Sequence, residues 1–429
     1  MTRYLAAAVL TVALTSGCSG SSLDHDLPPA VPGSESKAGL AWWSRAAMDA
    51  YLRWNAWTEA RSGFVAMFAR DGHPVYATVA GYADITDQTP LTLDTRMRFA
   101  SMTKPVTAVA AHILLEEGKL GLDDPVERYI PAMANARVAT SHTRGADGAF
   151  PTEPADPIPT VRHLLMFSSG VGPGMTGPSD LARHWKEHGL RSTRTGSLAE
   201  RVDRIAQLPL FEQPATRWRY GGSADVLARV IEVAAGEPFG EFVVRRILRP
   251  LGMSSTSFLP AEAGRSELAR VYTQNEAGDL VLAEPGVDAE DWTPGGSGLV
   301  STAPDYMRFA LMLWNRGEYD GTRILAEETV SEMTRLHVPS GVLAAQELDG
   351  EGLEGLGWGL GLSVVADSES TPFSDRDGDF WWGGYYGTTF FVSPESGLVG
   401  VILSQNQPGP RSDLPIALYV AQALAFAGL

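Results

Sequence analysis

The sequence predicts an α/β (α+β) fold, an antiparallel sheet flanked by helices with an all-α insert. Three observations predict it. Strand-like runs lie at both ends of the chain, as a hairpin pattern at Gly63–Asp84 and a meander over Leu356–Val365, Phe380–Tyr386, Thr388–Val392 and Gly397–Ser404. Helical spacing dominates the stretch between them. Apolar helical patterns flank the terminal strands, at Trp42–Glu59 and Leu414–Phe426. Strands grouped at the ends around a helical block favour a sheet layer covered by helices. At 429 residues the chain can bury a large core. That length suits two or three domains or one composite unit.

The elements follow in order. Residues 1–17 read as an export signal: Arg3 supplies the positive start and Tyr4–Leu14 the apolar stretch, too short to span a bilayer. It ends in Leu14-Thr15-Ser16-Gly17-Cys18, where small residues before the single cysteine resemble a bacterial lipidation site, with Thr15 where leucine is preferred. Residues 18–40 are rich in Pro, Gly and Ser and read as a lipid-anchored flexible tether, which makes the membrane a partner through Cys18. One cysteine excludes an intramolecular disulfide or a cysteine-built metal site. The folded part is expected over 41–429, its sheet part from 41–120 and 300–429 and its helical part from roughly 121–299.

Within it, Asp71-Gly72 between two apolar runs is a hairpin turn signal. Val106–Leu115 is uncharged and too long for a strand, so it reads as a buried helix with Pro105 in its first turn. Ala139–Pro159 reads as a long loop. Helices are expected at Val161–Phe167, Ser179–His188, Leu198–Gln207, Val226–Ala235, Phe239–Leu251 and Pro304–Trp314. His184-Trp185-Lys186-Glu187-His188 fits the spelling H-x-x-E-H of some zinc peptidases, but no third ligand stands at a motif-like spacing. A solvated helix is the simpler reading, and no metal or other cofactor is expected. The net charge of −17 argues against a nucleic-acid partner.

One stretch carries chemistry. Ser101 stands at the start of the buried helix, with Lys104 three residues on. That spacing puts hydroxyl and amine on one face. A serine is a poor nucleophile until a neighbouring base takes its proton, and a lysine can be that base once burial disfavours its charged form. The helix start adds backbone donors for a developing oxyanion. The same spacing at Ser34–Lys37 has no helix behind it. Tyr220 sits on a turn before the helix at Val226, where a phenol can enter a cleft. There is no Gly-x-Ser-x-Gly elbow, which argues against an α/β-hydrolase.

Several stretches together resemble the serine β-lactamase and penicillin-binding-protein superfamily, and within it the class C-related family VIII carboxylesterases. They are Arg98–Pro105 (RFASMTKP), Gly118–Pro131 (GKLGLDDPVERYIP), Thr160–Gly170 (TVRHLLMFSSG), Trp218-Arg219-Tyr220 and Asp225–Gly236 (DVLARVIEVAAG). Arg249–Met253 (RPLGM), Gly296–Phe309 (GSGLVSTAPDYMRF) and Trp382–Thr388 (WGGYYGT) continue the series. The resemblance spans roughly Trp42 to Leu429.

It implies a β-lactamase-like sheet flanked by helices, an acylated nucleophile at Ser101, an activating base at Lys104 and a tyrosine partner at Tyr220. The family's third element maps onto Trp382-Gly383-Gly384 as a substrate-binding strand, and the next residue, Tyr385, would share the oxyanion hole with the N–H of Ser101. Two departures bear on substrate. Where class C β-lactamases carry Lys-Thr-Gly this chain has Trp382-Gly383-Gly384, and no lysine follows Lys186. Where they carry Tyr-x-Asn it has Tyr220-Gly221-Gly222. Without those carboxylate- and amide-binding groups, selectivity should move toward neutral esters. The resemblance thus implies a serine hydrolase for small-molecule esters or amides, and the N-terminal segment implies that it is exported and anchored in the cell envelope. A β-lactamase or DD-peptidase, a D-amino-acid amidase and a non-catalytic binding lipoprotein are the alternatives.

Overall fold

The computed structural model describes residues 39–58, 60–173, 177–188, 196–258, 267–283, 293–339, 342, 353–371, 374, 376–408, 422 and 424–429. The signal, the tether with Cys18, and most of the expected Leu414–Phe426 helix lie outside the described residues.

An eight-stranded antiparallel sheet organises the chain. Its strands are β1 (Gly63–Arg70), β2 (His73–Asp84), β3 (Thr89–Pro90), β4 (Leu356–Trp358), β5 (Ser363–Val365), β6 (Phe380–Gly384), β7 (Thr388–Val392) and β8 (Leu398–Leu403). Their order is β4-β5-β6-β7-β8-β1-β2-β3, so the C-terminal meander joins the N-terminal hairpin along β1 and β8. Val65 lies opposite Leu403 and Arg70 opposite Leu398. Asp71 and Gly72 both take positive φ, 49° and 79°, in the turn between β1 and β2.

Both faces of the sheet are buried, which explains the nearly unbroken apolar run of β1 (GFVAMFA). Successive side chains of a strand point to opposite faces. Phe64, Ala66 and Phe68 face one core, built with Met48 and Leu52 of helix α1 (Trp42–Trp57) and with Leu424 and Ala425. Val65, Met67 and Ala69 face the main core. That core takes in helix α2 (Thr103–Glu116), helix α3 (Ser223–Ala235) and helix α4 (Ala303–Trp314). From Thr103 to Leu114 every residue of α2 is buried. The all-round apolar pattern of that stretch is therefore a consequence of its central position.

The middle of the chain is mainly helical, at Val161–Leu165, Asp180–Glu187, Leu198–Ala206, α3 and Phe239–Val243. It also carries two short antiparallel ladders. One, Arg137–Ala139 with Thr152–Pro154, gives form to the stretch expected as a bare loop. The other pairs Tyr272–Gln274 with Leu280–Leu282. The expected helix Phe239–Leu251 is a short α-helix running into a π turn at Val244–Leu248. Among the described residues no helix is long and apolar enough to cross a membrane.

Candidate active site

The turn before α2 is set by backbone constraints. Ala100 has φ +44°, a left-handed conformation that an L side chain seldom adopts. Residues Ala100–Met102 form a 3-10 turn that runs straight into α2. Four contacts hold the turn. The Thr103 hydroxyl donates to Ala100 O (2.8 Å) and accepts from Leu299 N–H (3.2 Å). The buried Tyr306 hydroxyl donates to Met102 O (2.8 Å). The Thr388 hydroxyl donates to Phe99 O (3.2 Å). Strain at one residue is thus over-determined by its surroundings, the condition under which such strain persists.

Ser101 Oγ lies 3.0 Å from Lys104 Nζ and 2.6 Å from the Tyr220 hydroxyl. Lys104 is only 7% exposed, so its amino group depends on protein partners. It donates to Gly296 O at 2.8 Å and sits 4.7 Å from the centre of the Tyr220 ring. Tyr220 is clamped by aromatic rings. Phe167 stacks on it at 5.7 Å and Trp218 at 6.1 Å, and Trp382 closes the other side at 5.4 Å. Trp358 braces this wall, edge-on to Trp382 at 4.7 Å, and its indole N–H donates to Leu165 O at 3.0 Å. Each such ring pair adds about 0.5–1.5 kcal/mol beyond its buried area.

The third element occupies β6. Trp382 is buried against Tyr220. Gly383 pairs with Thr389 of β7. Gly384 passes so close to the Ser101 turn that an added Cβ would lie 2.3 Å from Phe99 O and 2.3 Å from Thr388 Oγ1. Only a glycine lets the strand end seat there, and the backbone of Tyr385 follows directly. The Tyr385 ring is half-exposed and packs edge-on against Tyr386 at 5.7 Å.

Sequence reasoning missed the second layer. The Gly295-Gly296 backbone threads between α2 and α3, where a Cβ on Gly295 would lie 2.1 Å from Ala224 O. Thr107 Oγ1 donates to Gly295 O at 2.7 Å. Asp225 Oδ1 accepts Gly296 N–H at 2.9 Å, while Asp225 Oδ2 accepts Arg201 Nε at 2.8 Å. Asp225 therefore holds Gly296 by its N–H, and the carbonyl of the same residue receives Lys104. The signal was present: an acid, Asp225, in the first turn of the largely apolar run Ser223–Ala235, and the glycine pair Gly295-Gly296.

The His184–His188 pair lies away from this cluster. The two rings meet edge-on at 4.3 Å, and the Arg144 guanidinium approaches His184 Nδ1 at 3.1 Å, an arrangement suited to a solvated surface helix. Among the described residues no group of three or more His, Cys, Asp or Glu is placed to hold a metal ion.

A buried lysine and a clamped tyrosine converging on one helix-start serine fit one class, the serine hydrolases. The chain belongs to the β-lactamase family, whose model, described as Beta-lactamase, matches residues 45–425. It is 32% identical over 370 residues to Protein Rv1367c of Mycobacterium tuberculosis, covering 85% of this chain and 90% of that protein. It is 30% identical over 395 residues to Esterase EstB of Burkholderia gladioli, covering 83% and 89%. Among solved structures it matches EstCE1, described as a hydrolase with promiscuous acyltransferase activity. That match has a TM-score of 0.73 and 26% identity, and covers 89% of this chain and 98% of that one.

Proposed function

We propose that this chain is a carboxylesterase that cleaves small neutral esters through an acyl-enzyme on Ser101. The observation that carries the reading is the convergence of Lys104 Nζ and the Tyr220 hydroxyl on Ser101 Oγ, at 3.0 and 2.6 Å. Lys104 and Tyr220 share removal of the Ser101 proton. The freed oxygen attacks the ester carbonyl, and the N–H groups of Ser101 and Tyr385 hold the oxyanion. Tyr220 returns the proton to the departing alcohol. Water then attacks the acyl-enzyme and loses its proton to the same pair, which passes it to Ser101 Oγ as the acyl C–O bond breaks and the acid leaves. A preorganised oxyanion donor is worth about 2.7–4 kcal/mol in the barrier.

The preference for esters rests on what lines the third element. Trp382-Gly383-Gly384 offers an apolar ring where a lysine would hold a carboxylate, and Gly222 stands where an amide side chain would hold an acylamino group. The names of EstB and EstCE1 lean the same way. The address proposed is the bacterial cell envelope, with the chain lipid-anchored through Cys18.

The test is turnover of p-nitrophenyl butyrate beside a chromogenic cephalosporin by the full chain and its Ser101→Ala, Lys104→Ala and Tyr220→Phe variants. The esterase reading expects the ester to be the better substrate and Ser101→Ala to lose about three orders of magnitude or more. Full activity in Ser101→Ala overturns the nucleophile. A cephalosporin turned over faster than the ester overturns the substrate class.

A further inference from the structure

Helix α1 presents an unusual face to solvent. Trp42, Trp54 and Trp57 are 69%, 54% and 75% exposed, on a helix whose opposite side packs Ser44, Ala47, Met48 and Leu52 into the fold. At about 100° per residue the three indoles fall within an arc of about 120°. Arg53 lies inside that arc and Arg45 beside it, and both are exposed. Trp54 and Trp57 lie 5.3 Å apart, ring to ring. The one acid of the helix, Asp49, is tied back to the sheet by the Tyr76 hydroxyl (2.8 Å) and the Thr78 hydroxyl (2.7 Å). The outward face is thus aromatic and basic on a chain whose net charge is −17.

Exposed tryptophans cost free energy in water, and their amphipathic rings are most at home at the headgroup level of a bilayer. Arginines beside them complement anionic headgroups. The helix also starts where the presumptive anchor delivers the chain. From Cys18 to Ala41 the backbone can reach no more than about 80 Å, so an acyl chain on Cys18 confines α1 near the membrane and raises its effective concentration there. We propose that the Trp42–Trp54–Trp57 face with Arg45 and Arg53 is a membrane-docking surface that lies in the interface of an anionic bilayer. The helix fixes which side of the enzyme faces the lipid. The placement of the anchor rests on the envelope address proposed above; the chemistry of the face does not.

The experiment uses the full chain, purified from the membranes of an expressing bacterium. It is mixed with vesicles of phosphatidylglycerol and phosphatidylcholine brominated near the carbonyl end of its acyl chains. Flotation reports the anchor, and quenching of tryptophan fluorescence reports the helix. The chain has 11 tryptophans, so contact by three of them should remove about a quarter of the emission if yields are equal. A Trp42→Ala/Trp54→Ala/Trp57→Ala variant should still float but lose that quenching, with its urea midpoint close to wild type. Arg45→Glu/Arg53→Glu should lose quenching on anionic vesicles more than on purely zwitterionic ones. Wild type that floats without quenching overturns the docking face and leaves the anchor standing. Flotation that vanishes in the triple variant overturns the anchor and leaves the face standing. Equal quenching in wild type and triple variant overturns the face. So does a dimer in vesicle-free solution that the triple variant abolishes, since the occupant would then be a second copy.

Discussion

Asp225 is the most informative residue to change, because it touches neither nucleophile nor base. Its carboxylate spans two donors, Arg201 Nε at 2.8 Å and Gly296 N–H at 2.9 Å, with the Asp225 and Arg201 side chains 9% and 12% exposed. Removing it as Asp225→Ala takes the carboxylate from a largely buried ion pair with Arg201, which costs about 3–5 kcal/mol. Asp225→Asn keeps the shape but turns an amide N–H₂ toward one of the two donors, at about 1–3 kcal/mol. The effect on chemistry follows from Gly296, whose carbonyl receives Lys104 Nζ at 2.8 Å. Once Gly296 can shift, the amine loses its fixed distance to Ser101, and a misplacement near 1 Å costs about a hundredfold.

The assay is ester turnover with kcat and KM separated, beside urea unfolding, for Asp225→Asn, Arg201→Gln and the pair. Asp225→Asn should lower kcat by about tenfold to a hundredfold with KM little changed. The double variant should recover part of the stability, because the guanidinium that the Asp225 carboxylate balanced is gone too. It should not recover kcat, because Gly296 N–H still lacks its carboxylate. A kcat within twofold of wild type in Asp225→Asn, or recovery of kcat together with stability in the pair, would refute the positioning argument.

Other expectations follow from the same geometry. Gly384→Ala drives a methyl into Phe99 O and Thr388 Oγ1, each 2.3 Å away, and should cost about 1–3 kcal/mol and most of the ester activity; an active, equally stable variant would show that β6 need not seat on the turn. Tyr306→Phe leaves the buried Met102 carbonyl without its hydroxyl donor (2.8 Å) and should lower stability by about 1–3 kcal/mol in a urea titration; an unchanged midpoint would count against the clamp. His112, fully buried on α2, has its imidazole pKa pushed down to about 4 by loss of solvent. The unfolded imidazole titrates near 6.5, so between these values the unfolded chain binds the extra proton. Stability is then full above about pH 6.5 and falls by up to about 3 kcal/mol as pH drops toward 4. His112→Leu should flatten that part of the acid limb, and parallel pH profiles for the two proteins would remove His112 as its cause.

Much of the fold was legible because periodicity speaks plainly where one face is buried. The hairpin at Asp71-Gly72, the meander and the uncharged stretch Val106–Leu115 of α2 all announced themselves this way. Where the local pattern was weak, the reading blurred. The ladder at Arg137–Ala139 and Thr152–Pro154 is three residues long on each side, too short for alternation to register beside its Gly and Pro neighbours. The π turn at Val244–Leu248 leaves hydrophobic spacing almost unchanged, so it read as plain helix. At the site, Ser101, Lys104 and Tyr220 could be named because two share a short motif and all three match a family pattern. Asp225 and Gly296 lie 71 residues apart and matter only through a bond between them, which no local window contains. The aromatic wall of Phe167, Trp218, Trp358 and Trp382 is scattered in the same way.

The placement of Ser101 has a consequence for how the protein fails. Its turn is locked to α2, to the Leu299 backbone, to Tyr306 beneath and to β6 and β7 alongside, and α2 is buried from Thr103 to Leu114. Segments held this way exchange their amide protons only when the whole structure opens, whereas exposed loops exchange through small local openings. The catalytic geometry therefore belongs to the last cooperative unit to melt. Heat or denaturant should silence the enzyme along the same curve that unfolds the sheet, with no inactive but folded form preceding it.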